Sequence, residues 1–178
     1  ISRTAQDFNL YAYYKNFNFP VVFTRTANIF GPHQQLYRIV PLAIIKAIKN
    51  DKINLHGSGK SIRSFVFMDD VSEILFKILF DKKNIGKTFH ISTKKFVSIK
   101  NLVLIILKLL KKNKKLIRNV KERDGKDFGY YLDNSRIIKE YGWQEKTSLE
   151  TGLKKTVDWI KNNYQVINKL NLRYKHKK

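Results

Sequence analysis

The stretch that most constrains the fold is residues 21–32, with the sequence VVFTRTANIFGP. Residues 21–24 are a short β-prone run that follows Pro20 and ends in polar residues, and Gly31 and Pro32 punctuate the turn beyond it. A buried strand that ends in a polar turn is how α/β proteins present side chains to a ligand at the carboxyl edge of a sheet. Asn28 lies where such a turn would offer an amide, with two donor hydrogens and one acceptor oxygen. The alternative is a strand followed by an ordinary loop, and these twelve residues alone favour that alternative.

The bulk composition bounds the class of protein. Of the 178 residues, 43% are hydrophobic, which is enough to bury a core and argues against disorder. The sequence has no cysteine, so it has no disulfides, thiolate metal sites or cysteine nucleophile. No apolar run reaches the roughly 18 residues of a membrane span. Because the sequence begins with Ile1 and runs directly into a helical pattern, we expect it to be part of a larger protein.

The charge is strongly basic, with 36 Lys and Arg against 14 Asp and Glu and a net charge of +22. Such a balance can indicate a nucleic-acid or anionic-membrane partner. Arginine, which forks onto phosphates and base edges, supplies only 8 of the 36 cations, and the lysines are scattered among many Ile and Asn residues. The distribution therefore predicts no nucleic-acid and no membrane partner. The positive field would still attract a small anionic substrate.

Periodicity predicts an alternation of helices and strands. The apolar spacing predicts helices over 2–15, 39–48, 71–80, 99–110, 136–141 and 148–164, and strands over 21–24, 53–56, 64–68 and 87–92.

Three short motifs suggest chemistry that their context does not support. Gly59-Lys60-Ser61 matches the end of a P-loop, but Asn54 stands where that motif needs its first glycine, and a strand follows instead of a helix. Asp69 and Asp70 precede a helix, so we predict helix capping in preference to a metal or acid/base pair. His90 has no second ligand at metal spacing, so we predict a structural role for it and no metal site.

In their order along the chain, eight motifs together resemble the extended short-chain dehydrogenase/reductase family. The resemblance is to its NAD-dependent nucleotide-sugar epimerases and dehydratases, and most closely to the dTDP-glucose 4,6-dehydratases. The motifs are residues 1–7, 24–32, 39–41, 55–65, 68–71, 123–127, 141–143 and 152–159.

The resemblance implies an α/β fold in which the end of a Rossmann-type parallel sheet is followed by a small α/β substrate-binding lobe. Residues 1–32 would be the last part of the NAD-binding domain. Residues 33–165 would form the lobe, with late segments returning to the Rossmann sheet, and residues 166–178 would form a basic tail.

The family's remaining cofactor elements have no counterpart in this sequence. No glycine-rich turn for the NAD pyrophosphate is present, and the family's Tyr-x-x-x-Lys motif would end at Arg3, which places its tyrosine two residues before Ile1. We therefore expect the back part of a longer enzyme that is inactive by itself. Arg3 keeps the charge of the family's catalytic, cofactor-binding lysine but not its geometry.

The resemblance also assigns ligand contacts. Asn28 would hold the diphosphate of the nucleotide sugar, Ile29 would lie against NAD, and Arg63 would pair with the diphosphate. The other substrate contacts that the resemblance implies are Tyr37, Arg38, Asn54, Leu55, His56, Ser98, Arg123 and Lys126.

The function implied by the resemblance is a nucleotide-sugar 4,6-dehydratase that works with NAD, as a cytoplasmic homodimer. A 4-epimerase or decarboxylase of the same family is the alternative, because the acid/base residues that separate these activities have no counterpart here. From another class, the alternative is a basic nucleic-acid-binding module. The identities of the base and of the sugar stay open.

Overall fold

Helices and strands alternate along nearly the whole chain. The computed structural model describes residues 2–174; Ile1 of the first motif and residues 175–178 of the predicted tail lie outside the described residues. The helices are α1 (Ser2–Phe17), α2 (Ile39–Ile48), α3 (Met68–Phe80), α4 (Ile99–Leu109), α5 (Ser135–Tyr141), α6 (Leu149–Asn162) and α7 (Tyr164–Ile167). The strands are β1 (Phe23–Thr26), β2 (Asn28–Phe30), β3 (Ile53–His56), β4 (Ile62–Phe67), β5 (Thr88–Ile91), β6 (Phe96–Ser98) and β7 (Ile117–Val120).

Strands β1 and β5 form a parallel pair, in register from Phe23 opposite Thr88 to Thr26 opposite Ile91. One face of α3 lies in the same buried cluster as these strands, through Val71, Ile74 and Ile78. A helix covering a parallel strand pair is the α/β arrangement that the sequence predicts.

The chain passes from one sheet to another at Ala27. The Ala27 N–H donates to Ile91 O at 2.9 Å, which continues the β1–β5 ladder, and β2 then begins at Asn28 and pairs in parallel with β4. The predicted turn at Asn28 is therefore wrong, because Asn28 begins a strand. Pairing with β4 and burial of Phe30, which is 1% exposed, outweigh the local preference of a polar residue for a turn.

A second buried cluster, here called the lobe's core, lies mostly within the residues that were predicted to form the substrate-binding lobe. Helices α2, α4 and α6 pack together beside β3 and β4, and their inward residues Ile44, Leu102 and Ile160 are fully buried. Strand β3 pairs in parallel with β7, and β4 pairs antiparallel with β6. Neither β6 nor β7 was predicted, because both are short and lack a clear alternation of apolar and polar residues.

The acidic pair at α3 does not cap that helix. Asp69 and Asp70 lie inside the first turn, and the residue that caps α3 is Phe67, whose side chain makes no capping hydrogen bond. Asp70 is buried and accepts hydrogen bonds from the backbone N–H groups of Lys146 and Thr147, at 3.2 and 2.9 Å. The predicted capping role is therefore wrong, and Asp70 instead secures the segment that leads into α6.

The segment after residue 165 is less loosely held than predicted. Helix α7 ends at Ile167, which is 3% exposed within the lobe's core, and Leu172 packs against the same core. A tail beginning at residue 166 is therefore wrong, because an apolar side chain on the last helical turn joins the core.

Within residues 2–174, no helix is both long enough and apolar enough to cross a membrane.

Candidate functional site

Asn28 lies where the two sheets meet, at the carboxyl end of β1. Its Nδ2 donates to Ser64 O at 3.3 Å, and the Tyr130 hydroxyl donates to its Oδ1 at 3.4 Å. A carbonyl oxygen can only accept, so the contact with Ser64 fixes which end of the amide faces β4. One N–H of Asn28 then remains to donate to a ligand.

Arg63 lies on β4, next to Ser64, and its side chain is only 12% exposed. Its Nη1 donates to Ile62 O at 2.7 Å and to Phe128 O at 3.1 Å. The guanidinium lies over the ring of Tyr130, 5.2 Å from the ring centroid. Tyr130 therefore contacts both Asn28 and Arg63, and brings the two predicted diphosphate ligands into one cluster.

In β3, the predicted base-binding strand, two of the predicted contact residues make hydrogen bonds with β7 and the residue after it, and the third is buried. The Asn54 Oδ1 accepts from Arg118 Nε at 2.9 Å, and His56 Nδ1 lies 3.0 Å from Lys121 O, to which it donates. Leu55 is 1% exposed and belongs to the lobe's core. Strand alternation turns the Leu55 side chain inward, so only its main chain is available to a substrate, and its contact with substrate stays a prediction.

The predicted closing loop folds onto the end of β3. Lys126 Nζ donates to Glu122 Oε1 and Oε2 at 3.1 and 3.3 Å, and to His56 O at 3.5 Å. Glu122 lies so close to Gly57 that a Cβ there would fall 1.8 Å from its Oε2. A side chain at position 57 would make Glu122 shift, and the φ of +56° there is in the left-handed region that favours glycine.

The electrostatics of this loop centre on Glu122. Desolvation acts to raise the pKa of Glu122, but hydrogen bonds from Lys126 and from the Arg123 N–H outweigh it and hold that pKa below its ordinary value. The Arg123 side chain is exposed, and its guanidinium has no partner among residues 2–174. The loop therefore carries one paired cation and one cation that is available to a ligand.

Tyr37 and Arg38 form a separate group at the start of α2. The ring of Tyr37 lies 5.1 Å from that of Tyr174, and the Arg38 guanidinium lies 5.3 Å from the Tyr37 ring centroid. Neither makes a hydrogen bond or ring contact with Asn28 or Arg63 in the described part of the chain. The structure thus does not join this pair to the central cluster by direct contact.

Ser98 has a local structural role. Its Oγ accepts from the Asn101 N–H at 3.1 Å and caps α4, while the β4–β6 register places Ser98 opposite Ile62. Ser98 therefore lies on the strand next to β4, diagonally across from Arg63. Its hydroxyl proton makes no hydrogen bond within residues 2–174 and is available to a ligand.

The two predicted cofactor residues lie apart in the chain. Ile29 is half-buried, and its carbonyl accepts from Gln34 Nε2 at 2.7 Å. The Oε1 of Gln34 is buried and has no hydrogen-bond partner within the described residues. Arg3 is exposed on α1, and its guanidinium has no partner in residues 2–174. No group of three or more His, Asp or Glu side chains in this range is placed to hold a metal ion.

The sequence reasoning missed Asp127 and Tyr130. Both residues reach the site because their segment pairs with the start of β4, which is distant in sequence. Ile62 forms a β-bridge with Gly129, and the Ile62 N–H donates to Phe128 O at 2.9 Å. The only signal in the sequence is an aromatic residue shortly after a charged, glycine-containing loop, and that signal is too common to identify a site.

Comparisons of the sequence and of the fold identify related proteins. The family model described as GDP-mannose 4,6 dehydratase matches residues 1–156. A trifunctional UDP-glucose 4,6-dehydratase/3,5-epimerase/reductase of Arabidopsis thaliana is 35% identical over 153 residues, which cover 85% of this chain and 23% of that protein.

Two solved structures are similar in fold and sequence. The dTDP-glucose 4,6-dehydratase of Bacillus anthracis, in complex with NAD, superposes with a TM-score of 0.83 at 30% identity, over 89% of this chain and 50% of that one. The UDP-glucuronic acid 4-epimerase of Bacillus cereus, in complex with UDP-glucuronic acid and NAD, superposes with a TM-score of 0.80 at 27% identity, over 86% and 49%. The chain therefore spans about a quarter of the plant protein and about half of each bacterial chain.

Proposed function

This chain belongs to the GDP-mannose 4,6-dehydratase family of NAD-dependent nucleotide-sugar epimerases and dehydratases, and from that membership we propose that it forms the substrate-binding part of a nucleotide-sugar 4,6-dehydratase. The proposed reaction removes water from the sugar of a nucleoside-diphosphate hexose. The similarity to the plant and Bacillus anthracis dehydratases supports the choice of a dehydratase.

The observation that carries this proposal is the convergence of Asn28 and Arg63 on Tyr130. An amide N–H and an enclosed guanidinium that contact the same tyrosine form a donor set suited to a diphosphate. The net charge of +22 adds a long-range attraction for such an anion.

We assign the other positions to parts of the same ligand. Arg123 and Arg38 would add charge at the diphosphate. Asn54, His56 and the main chain of Leu55 would lie against the base. The remaining proposed substrate contacts are Tyr37, Ser98 and Lys126. The contact between Lys126 and the His56 carbonyl supports a loop that closes over the base side of the site.

The described residues would form only one side of a cofactor site. The unpartnered, buried Oε1 of Gln34 next to the Ile29 carbonyl leaves an acceptor that a bound carboxamide could use. Ile29 and Arg3 are the residues of this chain that would hold NAD. NAD, when bound, supplies the acceptor and later the donor of the hydride that moves from sugar C4 to C6. The residues of this chain bind and orient the sugar nucleotide by its diphosphate for that chemistry.

A 4-epimerase is the second candidate function. It is favoured by the structural similarity to the Bacillus cereus 4-epimerase. The two activities would share the diphosphate cluster and differ at the sugar, so the contacts of Asn28 and Arg63 do not separate them. Analysis of the product formed from a nucleotide sugar would distinguish them, because only a dehydratase yields a 4-keto-6-deoxy sugar.

We also propose a cytoplasmic homodimer. Helix α1 supports the dimer, since its Phe8, Tyr13 and Phe17 side chains are 69%, 57% and 72% exposed and would be covered at an interface. The absence of cysteine from the sequence is compatible with a reducing compartment.

The test is a titration of the full-length protein with dTDP-glucose, with UDP-glucose and with duplex DNA. We expect saturable binding of at least one nucleotide sugar. Tight, steeply salt-dependent DNA binding without sugar-nucleotide binding would overturn the enzyme proposal and support a nucleic-acid module.

The variant Arg63→Ala should weaken nucleotide-sugar binding at least tenfold, because a charge-assisted, forked contact contributes about 1.5–3 kcal/mol. Arg136→Ala is the matched control, since within residues 2–174 the one hydrogen bond of the Arg136 side chain goes to Thr88 O, at the amino end of β5. Thermal melting would verify that both variants fold. Unchanged affinity in a folded Arg63→Ala protein would show that the diphosphate lies elsewhere.

A further inference from the structure

The guanidinium of Arg63 makes three hydrogen bonds and one ion pair within the protein. A guanidinium has five N–H groups. Nη1 donates two to the carbonyls of Ile62 and Phe128, and Nη2 donates one to the Asp127 carbonyl at 3.3 Å. Nη2 also forms an ion pair with the Asp127 carboxylate, whose Oδ2 lies 3.0 Å away. Among the residues that the structure describes, the Nε–H has no acceptor, and the second N–H of Nη2 faces the Asp127 carboxylate only through that ion pair. A diphosphate that binds the Nη2 edge of Arg63 must therefore take the place of the Asp127 carboxylate.

The contacts differ in how easily they can be given up. The Ile62 carbonyl adjoins Arg63 on the same strand, and the Phe128 carbonyl also accepts from the Ile62 N–H, which fixes it to β4. The Asp127 carboxylate is different, because its side chain is 56% exposed and returns to water when it leaves. An ion pair with one well-hydrated partner stabilises a protein only weakly. The contact that can be exchanged is thus the one between Asp127 and the Nη2 edge.

We propose that the Asp127 carboxylate is an internal counter-ion that holds the Nη2 edge of Arg63 until the diphosphate of a nucleotide takes its place. This inference rests on the proposed function. A ligand with one negative charge would exchange one anion for another with little gain. A diphosphate carries more negative charge than the Asp127 carboxylate, so the Arg63 guanidinium binds it in preference. Asp127 thereby lowers the affinity of the site for all anions and selects for multiply charged ones.

The neighbouring cation of the loop is held in a similar way. The Lys126 side chain is 17% exposed and is paired with Glu122, whereas Arg123 is exposed and lacks a partner in residues 2–174. Arg123 can therefore contact an arriving phosphate first. Arg63 and Lys126 then contact the ligand as Asp127 and Glu122 release them.

The experiment measures the affinity of the full-length protein and of its Asp127→Asn variant for UDP, dTDP and inorganic pyrophosphate by titration calorimetry. Asparagine keeps the size of the side chain and removes the competing charge. We expect Asp127→Asn to bind the nucleoside diphosphates about three- to fivefold more tightly, the range of one exposed ion pair. Arg63→Ala introduced into the Asp127→Asn protein should remove that gain.

Asp158→Asn is the matched control. It makes the same change in net charge on the exposed side of α6, and we expect its affinities to stay within about twofold of the parent. Asp127→Ser is a second variant that removes the charge, for use should the asparagine protein fail to fold.

The outcomes separate this inference from the proposed function. Binding that is unchanged or weakened in both folded Asp127 variants would overturn the inference, since Asp127 would then orient Arg63 instead of competing for it, and the proposed function would stand. Failure of the parent and variants to bind any of the three ligands would overturn both.

Discussion

At the residue scale, the first turn of α3 places two adjacent carboxylates in opposite environments. Asp69 is exposed, whereas Asp70 is 5% exposed and accepts from two backbone N–H groups and from the Thr147 hydroxyl. The two N–H groups belong to a segment about 76 residues further along the chain. Asp70 thus joins the amino end of α3, next to β4, to the entry of α6.

We expect Asp70→Asn to lower the free energy of unfolding by about 1–3 kcal/mol, because a neutral amide oxygen accepts the two backbone hydrogen bonds more weakly than the carboxylate does. Asp69→Asn is the control and should change stability by less than about 0.5 kcal/mol. Urea denaturation of both variants measures the difference. Equal stabilities would show that Lys146 and Thr147 find other acceptors.

At the scale of elements, α6 packs unusually close to the strands that carry the site. A Cβ added at Gly152 would lie 2.7 Å from both Phe30 Cζ and Phe67 Cδ2, at the ends of β2 and β4. The rings of Phe30 and Phe67 meet edge to face at 5.6 Å and are both 1% exposed. Helix α6 therefore packs against the carboxyl ends of β2 and β4, and Asn28 and Arg63 lie at the amino ends of these two strands.

Gly152→Ala should destabilise the protein even though alanine favours a helix. Overpacking against two rings costs about 1–3 kcal/mol, which exceeds the gain of about 1 kcal/mol in helix propensity, so we expect a net loss of up to about 2 kcal/mol. Lys154→Ala, on the exposed side of the same helix, is the control. Thermal and urea unfolding measure both. A more stable Gly152→Ala protein would mean that the rings move aside without cost.

At the scale of the whole molecule, few carboxylates balance many cations. The structure pairs several of the 14 Asp and Glu with lysines, as in Lys95–Glu145 and Lys146–Glu73. Desolvation acts to raise the pKa of Glu145, but hydrogen bonds from Lys95 and Thr93 outweigh it and hold that pKa below its ordinary value. A hydrogen bond from Lys146 is the main cause of a lowered pKa at Glu73.

Acid should therefore unfold this protein readily. A carboxyl group whose pKa is lower in the folded state stabilises the fold above the unfolded-state pKa, and that stabilisation is lost as the pH falls through the folded-state pKa. With an ordinary value of 4.5 for Glu145, we expect the free energy of unfolding to be nearly constant from pH 7 to about 5 and to decrease below it. Protonation of the carboxylates also leaves 36 Lys and Arg uncompensated.

Urea unfolding at several pH values between 7 and 3 measures this dependence. Glu145→Gln should show a shallower decrease than the parent, because one of the responsible groups is gone. A free energy of unfolding that stays constant down to pH 3 would contradict the prediction.

The sequence by itself determined the class of fold, most element positions and the family. Helix α2 and strand β3 coincide with their predicted ranges, because apolar periodicity and the turn at Gly57 are local properties of the chain. The resemblance to nucleotide-sugar enzymes was likewise readable from ordered motifs, and the family match confirms it.

Only the tertiary structure decided which polar groups are held together. Asn28 was expected in a turn and lies in a strand, because pairing with β4 is a contact between residues 36 or more positions apart. Asp127 and Tyr130 reach Arg63 and Asn28 across more than 60 residues, and Asp70 is buried by a segment equally remote. Propensity and periodicity describe only residues that are close along the chain. Tertiary packing therefore determines the pairing of β2 with β4 and the partners of Asn28 and Arg63.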